Sequence, residues 1–221
     1  MGISRATFDF LRALRDNNNR EWFSQNKEMY QAAYENVVAF IQELIVGLSE
    51  FDPQIHPGIE AKKCLFRIYR DVRFSKDKSP YKSWFAAGIS IDGRKLEGPE
   101  YYIHLEPDGR SFIAAGYWRP KKEHLDLVRQ EIDYGYGDLL EALSMGQWTV
   151  DDLSAEDKLV RPPAGYAMDN EAIEVLKLKS FVLFHPLQDG QVLKAFALQD
   201  MLQVYRRSLP FKDFLHRAIS V

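Results

Sequence analysis

Between Thr7 and Arg15 the apolar positions Phe8, Leu11 and Leu14 recur at three-residue steps, with Thr7 placed to cap them, which predicts an N-terminal helix. Asn17, Asn18 and Asn19 follow; their short amides bond local backbone groups and tolerate left-handed conformations, so they stop one helix and cap the next. From about Arg20 to Ser49 an apolar stripe runs through Trp22, Met29, Val37, Phe40, Ile41, Leu44, Ile45 and Leu48, a helix long enough to bend or break. The prolines and glycine of FDPQIHPG close it.

The period then changes to two. Cys64, Phe66 and Ile68 alternate with Leu65, Arg67 and Tyr69, which predicts a strand with one polar face. Trp84 to Ile91 alternates again, and Asp92-Gly93 makes a turn. Tyr101 to Glu106 and Ser111 to Tyr117 are two more strands around a tight turn at Pro107-Asp108-Gly109. Arg119-Pro120 opens a helix through about Tyr134, and a shorter one carries Leu139, Leu140 and Leu143 after Gly135 and Gly137. A small strand near Leu159-Val160, a short helix from Glu171 to Leu176 and a strand from Lys179 to Phe184 come next. A helix from Val192 to Arg207 follows, and Pro210 starts a last short one. These elements predict an α+β fold: a curved, largely antiparallel sheet packed against N- and C-terminal helices. No shift of composition marks a boundary, so residues 1–221 read as a single domain.

Composition narrows the function classes. With 46% hydrophobic and 13% aromatic residues the chain can bury a core, and disorder is excluded. A net charge of -3 excludes a wholesale nucleic-acid coat, so any affinity for phosphates has to be local. The one cysteine, Cys64, lies in an apolar run and reads as a core residue; with no disulfide available, a reducing cytoplasm is expected. MGISRATFDFLRAL shows no secretory h-region, and no apolar run approaches the roughly 20 residues that span a bilayer, so no membrane is expected as partner.

The strongest local signal is RIYRDVRFSKDKSPYK, residues 67–82. Arg67, Arg70, Arg73, Lys76, Lys78 and Lys82 face only Asp71 and Asp77, a net of +4. Arginine forks and lysines around a long connection suit a phosphate or carboxylate, with Tyr69 and Tyr81 beside them. Ser79-Pro80 predicts one helical turn to Ser83 whose free amides favour an anion. Asp71 and Asp77 are candidate bases; alternatively they pair with the arginines and pin the loop, with Phe74 and Tyr81 as apolar anchors.

Several strings together resemble one family. Asn18-Asn19-Arg20-Glu21-Trp22-Phe23, Lys27 with Tyr30, Arg67 through Lys78, Pro80-Tyr81-Lys82 and Gly116-Tyr117-Trp118-Arg119-Pro120 look like the DUF2461 conserved hypothetical family, across nearly the whole chain. The resemblance implies a single intracellular domain found in bacteria and fungi and supplies no activity.

One more constellation bears on chemistry. Tyr102, His104 and Glu106 share a strand face and can line a cleft with Arg67 and Tyr69, where His104 and Glu106 make an acid–base pair. His56, His124, His185 and His216 lack zinc-site spacing, and no nucleotide-loop or nucleophile-elbow string is present; Asp71, Asp77, His104 and Glu106 could hold Mg²⁺ but no spacing demands it, so no metal is expected and the cofactor is left open. The expectation is a basic pocket for a small anionic ligand, phosphorylated or hydrolysed among the options. The alternative is a nucleic-acid or protein binding module in which the charged motif is largely structural.

Overall fold

The computed structural model describes residues 2–94 and 97–220. Helices α1 (Arg5–Asp16), α2 (Arg20–Gln25), α3 (Lys27–Ser49) and α4 (Ala61–Cys64) come first. Strands β1 (Phe85–Ile89), β2 (Ile91–Arg94), β3 (Glu100–Leu105) and β4 (Ser111–Tyr117) follow. Next are α5 (Lys122–Tyr134), α6 (Tyr136–Met145), a 3-10 turn (Val150–Asp152), α7 (Ile173–Leu176), β5 (Phe181–Leu187), α8 (Asp189–Val192) and α9 (Ala197–Ile219). The open antiparallel sheet has the order β1-β3-β4-β5 and is flanked by helices, the α+β class that the pattern predicts. The chain gathers into two compact units. One holds residues 1–94, 102–113 and 186–202; the other holds 95–101, 114–185 and 203–221.

In the first unit α1 packs on α3, and α3 on β1. Ser4, not Thr7, caps α1: its Oγ accepts from the Thr7 N–H at 3.2 Å, while Thr7 turns inward. Asn17 and Asn19 end α1 and cap α2 as predicted, with Asn19 Oδ1 accepting from the Trp22 N–H. The long second helix breaks at Asn26, whose Nδ2 donates to the Trp22 carbonyl and so uses an acceptor of the helix before it.

The tight turn after β3 is held from outside. Asp108 and Gly109 both have positive φ, as a two-residue hairpin turn of this hand requires. Asp189, at the start of α8, accepts from the N–H groups of both, at 3.0 and 2.9 Å. Arg12 of α1 then bridges the two acids, with Nε on Asp108 at 2.9 Å and Nη2 on Asp189 at 2.7 Å.

Elsewhere the structure corrects the pattern. Residues 65–70 are extended but form only isolated bridges, and Cys64 ends α4. β1 is buried at every position instead of alternating, and the extended residues Leu65 and Phe66 pair along its free edge. Gly93 lies inside β2, and the bend precedes it at Ser90. Leu159-Val160 is no strand; the bridges lie at Leu153 and Lys158, and Val160 is exposed. Pro210 sits inside α9 and does not start a new helix. The stripe Tyr205, Phe211, Phe214, Leu215 and Ala218 stays buried on both sides of the proline, and that burial outweighs the roughly 3 kcal/mol a mid-helix proline costs.

The core of the second unit gathers Tyr117, Val128, Ile132, Leu143, Phe181 and Phe214 with their neighbours. One glycine sets a close backbone approach there, and another has room to spare. At Gly116, φ +135°, a Cβ would fall on the Phe181 carbonyl oxygen and within 2.9 Å of Val182 Cα. Gly137 in α6 has open space around it. Gly116→Ala should therefore lower stability by roughly 2–4 kcal/mol in urea melts, whereas Gly137→Ala should raise it by about 0.5–1 kcal/mol.

Candidate functional site

Residues 65–87 double back as an arm. The Phe66 N–H donates to Ala86 O at 2.9 Å, Lys82 N–H to Ile68 O at 2.8 Å, and Arg70 N–H to Pro80 O at 2.9 Å, with Tyr69 bridging Tyr81. This pairing leaves residues 71–79 as a loop with exposed and half-buried positions only. The base of the arm is clamped. Asn18 Nδ2 donates to the Tyr81 carbonyl at 2.9 Å, and Asn18 Oδ1 accepts from the Tyr81 N–H at 3.0 Å. The Tyr81 ring, 6% exposed, stacks on Phe23 of α2 at 4.0 Å. Tyr81 is thus an anchor, while Tyr69, 5.4 Å from it, is 55% exposed.

The two acids of the loop are already engaged. Asp71 takes Arg73 in a fork, Nε on Oδ1 at 3.0 Å and Nη2 on Oδ2 at 2.7 Å. That pairing holds the Asp71 carboxyl below the usual range. Asp77 accepts from the Ser79 hydroxyl at 2.6 Å, the Ser79 N–H at 2.9 Å and the Arg70 guanidinium, and is lowered to about 2, chiefly by Ser79. Both carboxylates stay ionised at neutral pH, which suits them to bracing the loop better than to taking a proton. Lys78 Nζ rests on the Val72 carbonyl, and Lys82 Nζ on the Arg67 carbonyl, each at 2.9 Å. A carbonyl satisfies a donor without cancelling its charge. Arg67 and Lys76 are exposed.

Two local expectations need correction. Pro80 to Ser83 is not helical: the Tyr81 N–H is taken by Asn18 and the Lys82 N–H by Ile68, so these two amides are not offered to an anion. Phe74 is not an anchor: it is 96% exposed, and the Arg73 guanidinium lies 5.8 Å from its ring.

The second group stands on β3 and β4. His104, 9% exposed, lies between Trp84 (4.7 Å) and Phe112 (4.9 Å, rings 9° apart). Its Nε2 is 2.9 Å from Glu106 Oε2, and Arg110 Nη2 is 3.0 Å from the other carboxylate oxygen. Burial pushes the His104 pKa down, against the upward pull of Glu106. With Nε2–H donating to Glu106, the neutral ring keeps its lone pair on Nδ1, the form a general base needs. Lys82 joins the two groups, standing over Trp84 at 4.7 Å and Phe66 at 5.5 Å, while Phe66 meets Tyr102 at 6.0 Å. Phe66 and Lys82, and not Arg67 and Tyr69, therefore reach the His104 face. Asp71 and Asp77 remain with their arginines, and no metal-binding group of three or more His, Cys, Asp or Glu forms among the described residues.

Asn18, Trp84, Arg110 and Phe112 complete these groups without having stood out as site residues. Phe112 was legible as the cross-strand partner of a strand alternating in phase with His104. The clamp by Asn18 had no signal beyond an asparagine next to a helix cap.

The arm's charged string and its asparagine anchor both lie within residues 6–214, which match the family model for Conserved hypothetical protein (DUF2461). The chain belongs to the DUF2461 family. No curated protein and no solved structure matches it. Among the described residues of this DUF2461 chain no helix is long and apolar enough to cross a membrane.

The neutral His104 makes stability depend on pH. Its folded pKa lies below 6.5, so the unfolded chain binds the proton more readily. The contribution is complete above about pH 6.5 and is lost as the pH falls through that value toward the folded pKa. His104→Gln should flatten the fall in urea midpoint between about pH 6.5 and 5; an unchanged fall assigns the dependence to other groups.

Proposed function

We propose that the arm is a site for a small anionic ligand, a phosphorylated one first of all, in a cytoplasmic protein. The observation that supports it is a charge excess on a fixed support. Six basic residues meet two acids in residues 67–82, for a net +4 in a chain of net -3, and both acids are used by Arg70 and Arg73. In this reading Arg70 and Arg73 shape the loop, and Arg67, Lys76 and Lys78 supply the field that draws the anion. Tyr69 and Lys82 border the site, and Tyr81 fixes its base. The binding mode is an exposed surface fork, so the affinity should be modest and sensitive to salt.

Hydrolysis is the second reading, favoured by His104. The neutral ring, oriented by Glu106 and shielded by Trp84 and Phe112, suits removal of a proton from water attacking an ester.

Titration with pyrophosphate at about 50 and about 200 mM salt tests the first reading. Replacing Arg67, Lys76 and Lys78 together by alanine should weaken binding at least about tenfold with an unchanged melting temperature. Binding that survives the triple change refutes the assignment. Arg70→Ala should weaken binding with at most a small drop in melting temperature, since Ser79 still holds Asp77 and an exposed ion pair is worth about 0–1 kcal/mol. For the second reading, turnover of p-nitrophenyl phosphate should fall by about 10²-fold or more in His104→Gln, and equal turnover in the two proteins removes His104 from the chemistry.

A further inference from the structure

Charge alone leaves Phe74 unexplained. Its ring is 96% exposed at the end of the arm, between Arg73 and the two lysines Lys76 and Lys78, and adds nothing to a core. Tyr69, at the foot of the same loop, is 55% exposed. Open aromatic rings interleaved with cations are the two components used to hold unpaired nucleotides. A ring face accepts any base by stacking, and the cations track the phosphodiester backbone.

We infer that the arm binds single-stranded nucleic acid, with Phe74 stacking on a base and Arg67, Lys76 and Lys78 contacting phosphates. The inference rests on the reading of the arm as an anion site and names the ligand class. Three observations favour a single strand over other polyanions. A duplex keeps its base faces inside the stack, where a lone phenyl ring on a loop cannot reach them. Of residues 71–79 only Val72 and Phe74 are apolar and five are charged, so the loop tip offers a bilayer too little apolar surface to insert. An acidic peptide would satisfy the cations but stack on Phe74 only where it carries an aromatic side chain, whereas every base of a single strand offers a π-face.

The clamp at the base adds preorganisation. Tyr81 is held by Asn18 and Phe23, so the loop is presented from a fixed support and less ordering is needed on binding. The rest of the chain carries a net -7, which repels a long strand and confines contact to the arm. The footprint is therefore short. About three phosphate contacts correspond to a slope near -2 in a plot of log affinity against log salt.

Fluorescence anisotropy of the whole chain with labelled single-stranded oligouridylate and oligothymidylate of about 12 nucleotides tests this, with a duplex of equal length, heparin and phosphatidylserine vesicles as comparisons. The single strands should bind more tightly than the duplex. Phe74→Ala should weaken them about 5- to 100-fold at an unchanged melting temperature, and Lys76→Ala should reduce the salt slope by about 0.7. Equal binding of heparin and oligonucleotides, indifferent to Phe74, overturns the inference in favour of bare electrostatics. Phe74-dependent binding of vesicles alone overturns it in favour of a membrane tip. If pyrophosphate binds and no oligonucleotide does, the anion site stands and this inference fails; if neither binds, both fail.

Discussion

The two hydrogen bonds between the Asn18 amide and the backbone of Tyr81 do for the arm what a neighbouring strand would do in a sheet. Each side of that exchange satisfies a backbone group that pairing within the arm leaves over, and such groups cost about 1–3 kcal/mol when buried without a partner. The Phe23–Tyr81 stack then seals the joint from water. Because the base is fixed, the charged loop can be open without being loose. The positions of Lys82 and Phe66, and through them the contact with Trp84 and Tyr102, follow from the same anchor.

A basic string becomes organised by spending part of its charge on itself. Arg73 closes on Asp71 two residues away, and Arg70 reaches Asp77 across the loop. These exposed pairs add little to global stability, since exposed ion pairs are worth about 0–1 kcal/mol. Their effect is geometric: they decide which cations are committed and which still face solvent. Around His104 the opposite condition holds, because the group is buried and each carboxylate oxygen of Glu106 has its own donor. Buried polar networks of this kind are held to one arrangement, since any partial loss leaves a costly orphan.

Much of the architecture was legible. The stripes of α1 and α3, the asparagine punctuation and the β3–β4 hairpin follow from local chemistry and period, and they appear where the sequence places them. The failures have tertiary causes. β1 is buried on both faces where the sequence read alternation, and Pro210 does not end a helix because apolar contacts persist beyond it. The expected turn at Pro80 is pre-empted by Asn18, a residue 63 positions away. At the candidate site the charge excess, the self-pairing alternative and the His104–Glu106 pair could all be read from residue types. The sandwiching of His104 could not, since it depends on which strands become neighbours.

The hairpin that carries this histidine has its own remote dependency. Glu106 precedes the Asp108-Gly109 turn and Phe112 follows it, and the turn's amides are satisfied by Asp189, which Arg12 holds in place. Three segments far apart in the chain thus meet at a single side chain. Truncating that one carboxylate would orphan two turn amides and leave Arg12 held by Asp108 and Asp9 alone, so a change at the start of α8 would loosen the turn that joins the strands carrying Glu106 and Phe112.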